Sequence, residues 1–564
     1  MANMTIEDKV RQMFIIEMRG WMNEDADTLG IVNFTNLADT TLDISPDKID
    51  SPYEFFSTYH YGGIIMFDEN IDNIEQITTL NSNLQRVNAE TGGLPLFIAV
   101  DQEGGFINRL PGTLFPGNMA IAATGNPDNA SSAGWIIGDE LSLTGFNVDF
   151  APDADVNTNP DNPVIGVRSF GDDPVSVANY SVAFAEGLER NKVASCAKHF
   201  PGHGDTTTDS HYDLPVIERS LSELETTELI PFQSLIEHGV DMVMTAHILL
   251  PEIETDGLPA TLSDDVITGL LRGDLNYDGV VITDGIQMAA IQDNFTPREV
   301  AKLAINAGVD ILLAPYNIVN HDAVRAQERL VADIVAMVDS GEIPVARIDE
   351  SVWRILRLKI EKGLLDKDYT SPDLTRQLLE VKLRVRAASH LAAESDIAEE
   401  AVTIYRGHDL LPLDQNQRIL VVPATREQGE LITHTFAGTK LNVKVMDQSS
   451  FINRILNEIS LDADLLVIMS CDMSGDNAVE TDKNHTLITM AHDKGIPSAV
   501  ISTGLPYDVV DYPDADIVLA VYNPAAGFTG GPYTENIPAA FRVLFDAAAS
   551  PMAGHGSLPV QLDR

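Results

Sequence analysis

Cysteine is almost missing from this chain. Cys196 and Cys471 are the two present, far apart in 564 residues, so no disulfide framework supplies stability. Cys196 lies inside an apolar run and is expected to be a buried small hydrophobe. Long apolar runs are missing too: none reaches the roughly 18 residues that a membrane span needs. The opening MANMTIEDKVRQMFIIEM lacks a charged leader, and its apolar part, Met13 to Ile16, is too short for a signal core. The expectation is a cytoplasmic protein with no membrane insertion, or a secreted one if a signal preceded this sequence. Positive charge is scarce. Lys+Arg number 36 against 85 Asp+Glu, a net charge of −49. Such a field disfavours nucleic acid and anionic membranes as partners, and neither is expected. The acidic residues are spread along the whole chain, which points to a solvated, salt- or acid-adapted surface rather than an acidic tail.

What is present is a rhythm. Hydrophobic residues make up 44% of the chain, and mean hydropathy is −0.01, values of a soluble globular protein. At this length two or three domains are expected. In the first 365 residues, short apolar runs alternate with amphipathic stretches. The runs are Gln12 to Glu17, Gly63 to Phe67, Leu96 to Val100, Phe146 to Pro152, Val193 to Lys198, Val240 to Thr245, Gly279 to Thr283 and Val309 to Ala314. Helical periodicity fills the gaps, as in Asn73 to Val87, Ala130 to Leu143, Leu221 to His238, Arg298 to Ala307 and Ala323 to Val338. Eight strand-then-helix units predict an α/β fold whose first part is a (β/α)₈ barrel. Residues 366–400 are charged and helical and look like a connector. From Ala401 the alternation resumes, with strand-like runs at Arg418 to Pro423, Leu441 to Met446, Asp464 to Ser470, Pro497 to Ser502 and Asp516 to Tyr522. Residues 401–564 are therefore expected to form a smaller α/β sandwich domain.

A barrel carries its chemistry just past the carboxyl ends of its strands. Asp101 follows the third run. Asp149 ends the fourth, with Asp153 and Asp155 beyond it. Lys198 and His199 end the fifth, His247 follows the sixth, and Asp284 follows the seventh. Five such placements in succession are hard to obtain by chance and point to an enzyme. The richest segment is Lys198 to His211, KHFPGHGDTTTDSH. Its Asp209-Ser210-His211 spacing lets a carboxylate fold back onto an imidazole and tune it as a proton donor or acceptor. Asp284, in VVITDGIQM, is the candidate nucleophile toward an electrophilic carbon; a helix-capping Asp is the plainer alternative. Gly285 lets a ligand approach closely. Asp101 opens DQEGG and suits acceptance from vicinal hydroxyls. Arg109, Arg168, Lys198 and His199 could donate to hydroxyls or an acyl oxygen. Together they describe a polar ligand with many hydroxyls.

Three other features carry no site. DLNYDG (Asp274 to Gly279) begins like a calcium loop, but its twelfth position is Gly285, where a bidentate Glu is required. His199, His203, His211 and Asp209 form a loose zinc set without the His-x-His pair of barrel metallohydrolases. GFTGG (Gly527 to Gly531) lacks the spacing of a phosphate loop.

KHFPGHGDTTTDSH closely resembles the signature of the bacterial β-N-acetylglucosaminidases of glycoside hydrolase family 3, the NagZ type, here in two-domain form. DQEGG, RSFGDDP, VMTAHI and VVITDGIQM fall in that family's order, and AVTIYRGHDLLPLD with GSLPVQL extends the likeness to the second domain. The resemblance implies an exo-acting, retaining glycosidase on GlcNAc-terminated cell-wall fragments or chitooligosaccharides. It implies Asp284 as nucleophile and His211, paired with Asp209, as general acid/base. Asp101, Arg109, Arg168, Lys198 and His199 would bind the sugar, with no cofactor and no metal. It leaves open phosphorolysis, another sugar preference, or a silent sugar-binding protein. The family often has Arg after DQEGG, whereas this chain has Phe106.

Overall fold

Each of the eight apolar runs of the first part becomes a strand: β1 Phe14–Glu17, β2 Gly63–Ile65, β3 Phe97–Val100, β4 Val148–Asp149, β5 Cys196–Phe200, β6 Met242–Thr245, β7 Val280–Thr283 and β8 Leu312–Asn317. The computed structural model describes residues 3–22, 28–30, 52–210, 214–446, 463–473, 478–523, 534–546 and 553–562. The strands pair β8-β1-β2-β3-β4 in one sheet and β5-β6-β7 in another. Parallel bridges Val148↔Ala194 and Asp153↔Lys198 join β4 to β5, and Ile282↔Ile311 joins β7 to β8. Every pairing around the ring is parallel. The ring is thus an eight-stranded parallel barrel, as the sequence rhythm predicts. Parallel strands covered on both faces read as unbroken apolar runs rather than as alternation. β3, β5, β6 and β7 are buried at every residue.

Local signals set the helices between them. Thr296 caps Pro297–Ala307 in a capping box with Glu299, Pro occupies the first turn, and Gly308 closes the helix at φ 115. The stretch Leu221 to His238 departs from the expected single helix. It splits into Leu221–Leu224 and Leu229–Glu237. Pro231 has no N–H to bond the preceding turn, so the helix restarts before it.

The second sheet follows the order β9-β14-β13-β12-β10-β11. Its strands are β9 Thr403–Arg406, β10 Arg418–Val422, β11 Asn442–Val445, β12 Leu465–Ser470, β13 Ser498–Ser502 and β14 Ile517–Ala520. β10 to β14 are parallel in a doubly wound order. β9, absent from the expected runs, lies antiparallel on β14. Helices Leu374–Arg384 and Ala388–Ala401 precede this sheet. The second unit rests on loops at the carboxyl end of the barrel. Asn523 and Asn536 donate to the Pro116 carbonyl at 3.3 and 3.1 Å, and Asn157 donates to the Tyr507 hydroxyl at 3.2 Å. Among the described residues no helix is long and apolar enough to cross a membrane. Gly527 to Gly531 lie outside the described residues.

Candidate active site

The carboxyl ends of the strands surround a cavity of about 560 Å³, to which all eight strands or the residues just after them contribute. Asp284, Asp101, Arg109, Arg168, Lys198 and His199 all line it. Asp284 is the first residue beyond β7. Its N–H donates to the Thr245 carbonyl at 3.2 Å, and its Oδ1 accepts from the Gly285 N–H at 2.7 Å. A Cβ built on Gly285 would meet only the Met288 side chain, at 3.7 Å. The glycine therefore keeps cavity space free rather than relieving a backbone clash. His247 bridges Thr261 Oγ1 at 2.9 Å and the Gly285 carbonyl at 3.1 Å, tying the β6 loop to the residue behind Asp284. A carbonyl only accepts, so His247 Nε2 carries the proton.

Opposite lies a buried ion network. Lys198 Nζ bonds Asp101 Oδ1 at 2.8 Å and Glu103 Oε1 at 2.7 Å. Arg168 grips Glu103 with two parallel bonds, Nε to Oε2 at 2.9 Å and Nη2 to Oε1 at 2.7 Å. Such forked pairs fix position as well as charge. Burial works to raise the Glu103 carboxyl, but Arg168 and Lys198 override it and hold it below its ordinary range. Burial also works against the Lys198 ammonium, yet Asp101 and Glu103 hold its pKa above the usual value. Arg109 pairs with Asp68 at 3.2 Å, and its backbone N–H is accepted by Gln102 at 2.8 Å.

A second knot lies between the β4 and β5 loops. His199 Nδ1 meets Asp155 Oδ2 at 2.7 Å, and the His203 N–H donates to Asp155 Oδ1 at 2.6 Å. Burial opposes the His199 charge, but Asp155 raises its pKa. His203 is neutral: burial lowers it to about 4. Its ring spans Thr206 Oγ1 at 2.8 Å and Ser210 Oγ at 3.1 Å, so it anchors the segment that carries Asp209. The two glycines of this loop are required. A Cβ at Gly204 would lie 1.8 Å from the Val156 carbonyl oxygen, and Gly202 sits at φ 132. Asp209 is half-buried and is not among the residues lining the cavity. His211 lies outside the described residues.

The family model for the glycosyl hydrolase family 3 N-terminal domain matches residues 5–358. The chain belongs to glycosyl hydrolase family 3. It is 32% identical over 511 residues to beta-hexosaminidase A of Pseudoalteromonas piscicida, covering 83% of this chain and 84% of that protein. It is 38% identical over 261 residues to a beta-hexosaminidase of Neisseria meningitidis serogroup B, covering 45% of this chain and 70% of that one. A family 3 beta-N-acetylglucosaminidase from Paenibacillus sp. str. FPU-7 superposes with a TM-score of 0.79 at 32% identity, over 99% of both chains.

Within this family 3 fold, two buried carboxylates of the cavity escaped the sequence reading. Glu103 lies two residues after Asp101. In extended chain that spacing puts both on one face, and both reach Lys198; this was the available signal. Glu17 ends β1, the same end-of-strand position used for Asp284. It pairs with Arg19 at 2.5 Å, and Gln287 donates to it. Burial raises its pKa, with Arg19 opposing. The only metal-like cluster among the described residues is Asp153, Asp155 and His199. It differs from the loose histidine set of the sequence. Arg168 Nη2 lies 3.5 Å from Asp153 Oδ2 and 3.5 Å from His199 Nε2. The guanidinium already supplies positive charge there, so these groups fit an ion-pair network and fit a cation poorly. Phe106 packs against a hydrophobic cluster that contains Val167 and, from the second unit, Leu505 and Tyr507. Where the family often has Arg, this chain has an apolar side chain packed on a cluster drawn from both units.

Proposed function

We propose that this chain is a retaining exo-β-N-acetylglucosaminidase that releases terminal GlcNAc from chitooligosaccharides or cell-wall fragments. The observation that carries the reading is one cavity lined by a carboxylate, Asp284, and by polar groups able to bind hydroxyls, Asp101, Lys198, Arg109 and His199. The beta-hexosaminidase relatives support the substrate class. Asp284 attacks the anomeric carbon while His211, oriented by Asp209, protonates the departing oxygen. Water then cleaves the glycosyl-Asp284 ester with His211 as base. Glu103 and Arg168 hold the sugar-binding ammonium and carboxylate in place. Every step uses side chains, so the scheme calls on no cofactor.

The deciding assay is the initial rate on an aryl β-N-acetylglucosaminide beside an aryl β-glucoside, with and without phosphate. Wild type is expected to turn over only the acetamido sugar, without need of phosphate, and Asp284→Ala to lose turnover. His211→Ala is expected to slow substrates with poor leaving groups most. An unchanged rate in Asp284→Ala on every substrate would remove the nucleophile assignment. Phosphate dependence would make the enzyme a phosphorylase.

A further inference from the structure

Beside the main cavity lies a second hollow of about 180 Å³, which nothing in the mechanism above uses. Its walls come from the segment after Asp284, from the end of β8 and from the helices beyond. Gln287, Gln292 and Asn317 line both spaces. The two are therefore neighbours across three amide side chains, on the side of the nucleophile strand.

The chemistry of the hollow differs sharply from that of the cavity. Phe295, Tyr316 and Pro315 line it, and none of its lining residues carries a charge at neutral pH. In a chain of net charge −49, an uncharged wall beside a cavity ringed by ion pairs is a specific environment. Phe295 and Tyr316 are half-buried, so they offer ring surface without being sealed in the core. Aromatic rings stack on the apolar faces of pyranose rings, and amides meet hydroxyl and acetamido groups. The shared amides are pre-set: Asn317 Oδ1 accepts from the Arg19 N–H at 3.2 Å, and Gln287 is tethered to Glu17. An anionic ligand entering this hollow would lose hydration, and no residue lining it offers a charge in return.

We propose that this hollow is the binding site for the leaving-group sugar, and that it selects a neutral N-acetylated pyranose over a muramyl sugar bearing a lactyl carboxylate. This deepens the glycosidase reading and rests on it. The shared amides bind both sides of the scissile bond, while Tyr316 and Phe295 form the platform beyond it.

The test compares kcat/KM on diacetylchitobiose, on methyl β-N-acetylglucosaminide and on a disaccharide of GlcNAc β-linked to muramic acid. Wild type is expected to favour diacetylchitobiose over the acidic disaccharide. Tyr316→Ala is expected to lower kcat/KM on diacetylchitobiose about tenfold, with the methyl glycoside changed less than about twofold. Tyr316→Phe keeps the ring and is expected to keep the rate. Phe295→Ala tests the other ring with the same expectation, should Tyr316→Ala fold poorly. Equal losses on diacetylchitobiose and the methyl glycoside would overturn the proposal, as would a wild-type preference for the acidic disaccharide. The glycosidase reading would survive either result. A wild type inert toward all three would sink both.

Discussion

Glu103→Gln isolates the buried ion network better than any other single change. The carboxylate is 2% exposed and faces two cations, Arg168 at 2.7 and 2.9 Å and Lys198 at 2.7 Å. The amide keeps the shape and removes the charge. It also turns an NH₂ toward a guanidinium that can only donate. Breaking a buried pair by neutralising one partner costs about 3–5 kcal/mol. Asp101 still pairs with Lys198 and Asp153 still faces Arg168, so the low end applies, about 3 kcal/mol. That is a large part of the roughly 5–15 kcal/mol that holds a domain folded. Urea unfolding at pH 7 should show it. The pH profile follows from sign. The folded Glu103 pKa lies below its ordinary value of 4.5. Its stabilisation is therefore fully present above 4.5 and is lost as pH falls through the folded pKa. The gap between wild type and Glu103→Gln should stay constant from about pH 5.5 upward and shrink below pH 4.5. A variant that unfolds at the wild-type urea concentration would refute the assignment of this network as a structural keystone of the cavity.

Four further outcomes are expected. His203, lowered by burial to about 4 from 6.5, refuses a proton that the unfolded chain accepts, so wild-type stability falls between pH 6.5 and about 4. His203→Ala should flatten that slope in urea titrations and lower kcat about tenfold or more by freeing the Asp209 segment. Lys359 is buried and lowered to about 7 from 10.5 by desolvation; its folded form sheds its proton first, so stability rises from pH 7 toward 10.5, and Lys359→Met should abolish that rise. Phe106→Ala should raise KM on an aryl β-N-acetylglucosaminide about tenfold by loosening the Asp101–Arg109 loop from the cluster it packs on, and an unchanged KM would deny that packing any role in binding. Prolonged EDTA treatment should leave turnover unchanged, whereas loss of activity restored by zinc would contradict the ion-pair reading of Asp153, Asp155 and His199.

The strands of the barrel were legible because parallel strands covered on both faces cannot hide: apolar residues must run unbroken. β9 was not, because Thr403–Arg406 is a partly exposed edge strand with an Arg in it, and it follows a helix without a break. The placement of Asp101, Lys198 and Asp284 at one mouth was also legible, since chain direction in a barrel puts every strand end on the same side. Partner choice was not. Asp155 and His199 are 44 residues apart and meet only because β4 and β5 are neighbours in the ring. Arg168 looked like a hydroxyl donor, yet both of its forked bonds go to Glu103. A local motif names the chemistry available, while packing decides which donors remain for a ligand.

Charge makes the same point at the scale of the chain. Cations are few, and many of them are committed to the interior. Lys198 and Arg168 are held by carboxylates at the mouth. At the opposite end of the barrel, Arg272 and Arg347 close on buried Asp310 at 2.6 and 2.5 Å. Lys359 there donates to the Gln12 side chain at 2.9 Å and the Gly62 carbonyl at 3.0 Å, beneath β1 and β2. An acidic surface tolerates substitution, because exposed pairs contribute little. The buried cations are different: Lys198 and Arg168 share Glu103, and Arg272 and Arg347 share Asp310, so losing one of them unbalances an ion network in a place water does not reach. The net charge of −49 therefore describes the solvent-facing shell, and the fold at both ends of the barrel depends on the minority sign.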